Sequence, residues 1–138
     1  MKTNELADAV LAFLLTTHAR VYRNSEPADP SFPYIVFLVD SATLTNPGSD
    51  CYVNVKIFES PRASVRTMET LADAIVGDGQ RITATSPSGL DNRVVVTSNT
   101  MTHFQLEQKQ YIDTNDLVTA QMIDLRFVAR SYDIGGLN

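Results

Sequence analysis

Residues 52–61 read Tyr-Val-Asn-Val-Lys-Ile-Phe-Glu-Ser-Pro, and this stretch alternates regularly between apolar and other side chains. Successive side chains of a β-strand point to opposite sides of a sheet. The alternation therefore predicts a strand that places Val53, Val55 and Ile57 on one face. Tyr52 and the residues between the three apolar positions are expected on the other face.

A helix is predicted directly after this strand. Ser60 is a residue type that caps helix N-termini, and Pro61 suits the first helical position because its missing N–H leaves no donor unpaired. Gly77 stands where a C-terminal cap is expected. Apolar residues recur between them at intervals of three and four, as an amphipathic helix requires: Val65, Met68, Leu71, Ala72, Ile75 and Val76.

Length and composition favour one ordinary globular domain. The chain has 138 residues, of which 43% are hydrophobic, so a sizeable core can form. A net charge of -5 argues against a protein that binds nucleic acid by neutralising phosphates. Cys51 is the single cysteine, so no internal disulfide can form and a reducing compartment fits the chain.

The N-terminal segment is predicted to be a core helix that starts at Thr3 or Asn4 and ends near Thr17. Its apolar run is not expected to be a signal peptide, because Glu5 and Asp8 stand where a signal peptide is basic. The run is also too short for a membrane span, which takes about 20 residues.

The remaining pattern predicts an α+β fold. We expect a single domain over residues 1–138, with a mainly antiparallel sheet of about five strands and two helices packed on one face. The late part is predicted to contain a long hairpin arm, about residues 108–117, and a loose C-terminal tail, residues 133–138. The other expected segments are a short strand at 19–23, a proline-rich loop at 24–33, a buried strand at 34–39, a hairpin turn at 46–49, and strands at 93–98 and 118–132.

The sequence offers few residues for catalysis or for binding a metal or cofactor, and none of these roles is predicted. His18 and His103 stand apart, without cysteine or acidic residues at zinc-ligand spacing. Cys51 could pair with a histidine as nucleophile and base, although a buried structural cysteine is the simpler interpretation. Residues 113–116, Asp-Thr-Asn-Asp, lack the glycine and the glutamate of a calcium loop.

The order of the segments resembles that of the tail-terminator, or tail-completion, proteins of long-tailed bacteriophages. The likeness spans most of the chain: the N-terminal helix, the proline-rich loop leading into residues 32–36, the hairpin through 46–48, the strand at 53–58 and the helix containing 71–75. The late strands match least well.

This resemblance implies a non-enzymatic structural protein of the virion, located at the head-proximal end of the tail and assembled in the host cytoplasm. Such a protein forms a homo-oligomeric, hexameric ring that caps the tail tube and stops its polymerisation. Its partners are the tail tube protein and a head-completion or neck protein. DNA passes through the lumen without specific binding, and no membrane is involved.

The late strands are predicted to supply the subunit or partner interface, because a polar strand face and a long hairpin arm can both reach a neighbour. The residues expected there are Lys109, Gln110, Tyr111, Asp113, Asp116, Asp124, Arg126 and Arg130. Two alternatives stay open. One is another phage neck component, such as a head-completion protein, and the other is a small ligand-binding or enzymatic α+β domain that uses Cys51.

Overall fold

Two helices and seven strands make up the computed structural model, which describes residues 3–40, 43–44, 48–78, 88–96, 100–112 and 120–133. The elements in chain order are α1 (Thr3–Thr17), β1 (Val21–Arg23), β2 (Tyr34–Val39), β3 (Thr43–Leu44), β4 (Gly48–Glu59), α2 (Val65–Val76), β5 (Val94–Val96), β6 (Thr100–Ile112) and β7 (Gln121–Asp133). The α+β class predicted from the sequence is confirmed.

The strands form one mixed sheet in the order β1-β2-β4-β7-β6-β5, and β3 pairs with β4 beside this path. The expectation of about five strands was too low. The two-residue β3 is too short to show any periodicity in the sequence. The pair β1 and β2 is parallel, whereas the other pairs are antiparallel. A parallel pair needs a connection that returns the chain to the end of the sheet where the first strand began, and residues 24–33 form this connection. A tight hairpin joins antiparallel strands only.

Strand β4 lies in the middle of the sheet and pairs with β7 along its whole length, from Gly48 opposite Tyr132 to Glu59 opposite Gln121. Val53, Val55 and Ile57 are fully buried on one face, as their alternation predicts. Its other neighbour is β2, with Ile35 opposite Ile57. The predicted antiparallel pairing of these two strands is therefore confirmed.

The hydrophobic core lies between one face of the sheet and both helices. Phe37, Phe104 and Phe127 are its largest fully buried sheet residues. A fully buried side chain of this kind contributes roughly 1.5–3 kcal/mol relative to an exposed one. The helices add Leu6, Ala7, Val10 and Leu14 from α1 and Met68, Leu71, Ala72 and Ile75 from α2. Packing of two helices on one face is thus confirmed.

Helix α2 begins four residues later than the sequence predicted. Its N-cap is Ser64, whose hydroxyl accepts a hydrogen bond from the backbone N–H of Arg66 at 3.2 Å. The side-chain amide of Gln121 donates to the carbonyl oxygens of Ser60 and Ala63, at 2.9 and 2.8 Å. These bonds from β7 hold residues 60–63 as a turn, so Ser60 is not the cap.

The C-terminal end of α2 is fixed by a close approach of two glycines. Gly77 has φ +76° and donates its N–H to the carbonyl of Asp73, which confirms it as the C-cap. A Cβ atom on Gly77 would collide with the backbone of Gly89, and a Cβ atom on Gly89 would collide with Gly77 and Val76. The segment that starts at residue 88 is therefore held directly against the end of the helix.

Strand β6 extends into the segment that was predicted to form the hairpin arm. Residues 108–112, the first part of the expected arm, pair with β7 as regular sheet. The rest of that arm lies in 113–119, outside the described residues. A β-bulge separates Leu106 from Gln108, and the carboxylate of Asp91 accepts the N–H of Leu106 at 2.8 Å. Asp133 closes β7, and residues 134–138 of the predicted tail lie outside the described part of the chain.

The contact between Gly77 and Gly89 gives a direct test of this packing. Gly77→Ala is expected to lower the free energy of unfolding by about 2 kcal/mol or more, because the residue would combine positive φ with a backbone collision. Gly89→Ala should cost a similar amount. Urea unfolding followed by circular dichroism measures both. Thr67→Ala, at an exposed position of α2, is the control and should change stability by less than about 0.5 kcal/mol. A neutral Gly77→Ala would contradict the close approach.

Candidate assembly surface

The face of the sheet opposite the core is not covered by either described helix, because both helices bury their apolar residues in the core. We call this surface the open face. It consists of the side chains of β2, β4, β5, β6 and β7 that alternate with the core residues. Among them are Tyr34, Val36, Tyr52, Asn54, Lys56, Phe58, Asp124, Arg126, Val128 and Arg130.

Arg126 occupies the centre of the open face. Its guanidinium lies over the ring of Tyr52, with 3.9 Å between Cζ and the ring centroid. A contact of this type contributes about 0.5–1 kcal/mol at an exposed site. The carboxylate of Glu107 is 3.7 Å from Nε of Arg126, which is an ion-pair distance but too long for a hydrogen bond. Asn54 stands directly opposite Arg126 on β4.

Three polar atoms around Arg126 are buried without a hydrogen-bond partner among the described residues. They are Oδ1 of Asn54, Oδ1 of Asp124 and Nε of Arg126 itself. A buried polar group that loses its partner costs about 1–3 kcal/mol. The cluster of two acceptors and one donor is therefore a costly arrangement, and it forms a polar centre on the open face.

Aromatic side chains form one end of the open face. The rings of Tyr34 and Phe58 are stacked with centroids 4.9 Å apart, and Phe32 and Tyr22 approach Tyr34 at 5.5 and 6.2 Å. Burial among these rings, and secondarily the negative charge of Glu26, raises the pKa of the Tyr34 phenol above its ordinary value. This end is therefore a preformed aromatic patch.

Exposed apolar side chains form the other end. Val96, Met101 and Tyr132 stand side by side across β5, β6 and β7, and Val94 lies two residues along β5. All four are more than a third exposed, and Val96 is 63% exposed. Contiguous exposed apolar side chains mark contact surfaces. Sequence periodicity placed Val94 and Val96 on the same side of a strand but could not bring Met101 and Tyr132 beside them.

The residues predicted for the interface divide between the two faces of the sheet. Gln110 stands opposite Asp124 on the open face, together with Arg126 and Arg130. Arg130 lies 3.8 Å from the carboxylate of Asp50. Both side chains of this pair are well exposed, so the pair contributes at most about 1 kcal/mol to stability. These residues are therefore available for contacts with a partner.

The other predicted interface residues lie elsewhere. Lys109 points to the helix side of the sheet, where its Nζ binds the carboxylate of Glu69 on α2 at 2.7 Å. Tyr111 lies on the same side and donates its hydroxyl to the Gln121 side chain at 2.9 Å. Asp113 and Asp116 fall outside the described residues. The structure thus does not bring the predicted set together as one patch.

Cys51 is not placed to react with either histidine. Its thiol is buried on the core side of β4. His103 lies on the open face, opposite Arg130. His18 binds the carbonyl of Pro33, which lies beside the far end of β4. At 3.3 Å per strand residue, this end of the strand is about 20 Å from Cys51. Burial, followed by the nearby carboxylates of Asp40 and Asp50, raises the pKa of the Cys51 thiol above its ordinary value, so little thiolate forms.

The described residues contain no group of histidine, cysteine and acidic side chains with the arrangement of a metal centre. None of the helices within the described ranges is long and apolar enough to cross a membrane.

Comparison with known proteins leaves the family open. No family model and no curated protein matches the chain. A chain of a solved structure described as "Virion of native gene transfer agent (GTA) particle" is similar to this chain with a TM-score of 0.44 and 20% sequence identity. The similarity covers 91% of this chain and 87% of that chain. These values are too low to assign a family or a function.

The raised pKa of Cys51 predicts a pH dependence of stability. A thiol whose pKa is higher in the folded state stabilises the fold fully below the unfolded-state pKa and loses that contribution as pH rises through the folded-state pKa. The stability of the natural chain relative to Cys51→Ala should therefore be constant up to about pH 8. It should decline above the ordinary thiol pKa of 9.0.

Urea titrations of the two proteins between pH 7 and pH 10.5 measure this difference, with a decline of at most about 1.4 kcal/mol per pH unit. A stability difference that stays constant to pH 10.5 would show that the folded environment does not disfavour the thiolate.

Proposed function

We propose that this chain is a structural virion protein of a long-tailed bacteriophage that acts as its tail terminator. In this role copies of the chain form a ring at the head-proximal end of the tail, stop polymerisation of the tail tube and join the tail to the neck. The observation that carries the proposal is the open face: a large sheet surface that neither described helix covers, with a polar centre whose hydrogen bonds are incomplete among the described residues. The order of the sequence segments, which resembles that of tail terminators, supports the proposal.

The ring is proposed to use the open face for contacts with a subunit or with a neighbouring virion protein. Gln110, Asp124, Arg126 and Arg130 are the contributors on this face, and the exposed apolar end adds area. A ring requires two different complementary patches on each subunit, because its contacts repeat head to tail. Lys109, Tyr111, Asp113 and Asp116 remain proposed contributors from the end of β6 and the segment that follows it.

DNA is proposed to pass through the ring without specific binding. The net charge of -5 supports this role, because like charges on the protein and the phosphate backbone weaken adhesion. The tube protein and a head-completion or neck protein are the proposed partners on the two sides of the ring.

The enzymatic alternative gains no support from the site geometry, because Cys51 is buried in the core and is distant from His18. A head-completion protein would need a contact surface of the same kind, so an experiment has to separate the two. Electron microscopy of particles made without this chain does so. A missing terminator gives tails of uncontrolled length, whereas a missing head-completion protein gives tails of normal length that fail to join heads. Joined tails of normal length would contradict both roles.

Charge reversal on the open face is expected to weaken assembly without unfolding the chain. Arg126→Glu or Arg130→Glu should reduce incorporation into particles at least about tenfold, because like charges at a contact cost energy. The free energy of unfolding should change by no more than about 2 kcal/mol, since the lost contacts are a cation–π interaction and a surface ion pair.

Quantitative immunoblots of purified particles and urea unfolding of the free protein give the two readouts. Arg62→Glu, an exposed arginine before α2, is the matched control and should be incorporated normally. An Arg126→Glu or Arg130→Glu chain that is unfolded on its own would mean that the arginine supports the fold instead of the contact.

A further inference from the structure

The outer side of helix α1 carries apolar side chains in its C-terminal half. Leu6, Val10 and Leu14 are buried in the core, yet Leu15 is 48% exposed and Ala12 is also exposed. Neighbouring exposed apolar side chains mark contact surfaces. This half of the outer side therefore has the composition of a contact surface.

The same outer side carries negative charge that the helix does not compensate. Glu5 and Asp8 are exposed and lie three residues apart, so they are neighbours on the helix surface. Helix α1 contains no lysine or arginine. Its outer stripe thus runs from acidic residues in the N-terminal half to apolar Ala12 and Leu15 in the C-terminal half.

A groove of about 500 Å³ lies where the end of α1 meets α2 and the loop before β2. Its apolar part is made by Pro33, Leu71 and Ala74, and its polar rim by Arg66 and Thr67 with neighbouring Thr70. Arg66 is exposed and makes no ion pair with a described residue. His18 also lines the groove, and its Nε2 is occupied by the Pro33 carbonyl. Among the described residues, no acidic side chain lines this groove.

We propose that the outer stripe of α1 in one copy of the chain docks into this groove in the next copy. Ala12 and Leu15 would cover the apolar part, and Glu5 and Asp8 would lie beside Arg66 on the rim. This is helix-in-groove recognition, in which residues spaced by three and four positions anchor the helix. The stripe and the groove are different surfaces of the same chain, so the contact repeats head to tail.

The proposal rests on the ring of the proposed function and adds a contact on the helix side of the sheet. Charge complementarity selects the occupant: the outer stripe of α1 carries two carboxylates beside apolar side chains, and the groove carries the guanidinium of Arg66 beside apolar side chains. An acidic segment of another virion protein would bind the groove while leaving α1 free, which the experiment below distinguishes.

Paramagnetic relaxation measured between copies tests the contact even if it is weak. A nitroxide spin label is attached to Arg62→Cys, an exposed position before α2 that does not line the groove, in a Cys51→Ala background without isotope label. This protein is mixed with a ¹⁵N-labelled Cys51→Ala copy. At about 0.5 mM of each, a contact with a Kd near 1 mM populates a measurable fraction of complex. The amide signals of residues 5–15 in the ¹⁵N copy should broaden. A label on Gln105→Cys, on the open face, is the control and should leave α1 unaffected.

Charge exchange makes the result specific. Asp8→Arg in the ¹⁵N copy should reduce the broadening of α1 at least about tenfold, because it places like charges beside Arg66. Adding Arg66→Glu to the spin-labelled copy should restore it. Asp73→Arg, an exposed charge change on α2, is the matched control and should have no effect. Circular dichroism verifies that each variant is folded.

Unbroadened α1 signals, or broadening that survives Asp8→Arg, would overturn the proposed docking. Incorporation of an Asp8→Arg chain into particles with normal tails would then show that the terminator role stands while the α1 contact does not. Tails of normal length without the chain would instead overturn the terminator role itself.

Discussion

The pairing of β4 with β7 determines the rest of the structure. Every residue of β4 has a partner on β7, and together the two strands bury Val53, Val55 and Ile57 against Phe127, Leu125 and Ile123. A slip of one residue would exchange the two faces of a strand, because side chains alternate with a period of two. The buried row therefore makes the register strongly specific, and it provides the platform on which α1 and α2 pack.

The same register fixes the open face. Asn54 and Arg126 stand opposite one another because Val53 and Phe127 do, and a core residue cannot move without moving its polar neighbour. The fold consequently holds Arg126 over Tyr52 beside buried oxygens of Asn54 and Asp124 that lack partners among the described residues. One strand pair thus supplies both a stable interior and a rigid, incompletely satisfied exterior.

Local patterns in the sequence were sufficient to predict the central strand and the helix that follows it. The alternation around Val55 and the three-and-four spacing around Leu71 each report which side of an element is buried, and the structure confirms both. The predicted start of α2 was wrong. The side-chain amide of Gln121, more than fifty residues away in the sequence, binds the carbonyl oxygens of Ser60 and Ala63, so the helix begins only after these residues. No local signal at Ser60 distinguishes it from Ser64 as a cap.

The candidate surface was predicted only in part for a similar reason. The bulge between Leu106 and Gln108 shifts the alternation of β6 by one residue, so Gln110 reaches the open face while Lys109 turns toward α2. A bulge depends on the neighbouring strand and on Asp91, which holds the N–H of Leu106. Arg126 and Arg130 lie together on the open face because β7 alternates without interruption against β4.

The central claim is that the open face is covered in the assembled particle. Hydroxyl-radical footprinting with mass spectrometry tests it directly, by comparing the free chain with the chain in purified particles. Met101 and Tyr132, which are exposed on the open face of the free chain, should be oxidised much more slowly in particles. Equal oxidation rates of these two side chains in the free and assembled states would contradict the assignment of the open face as the assembly surface.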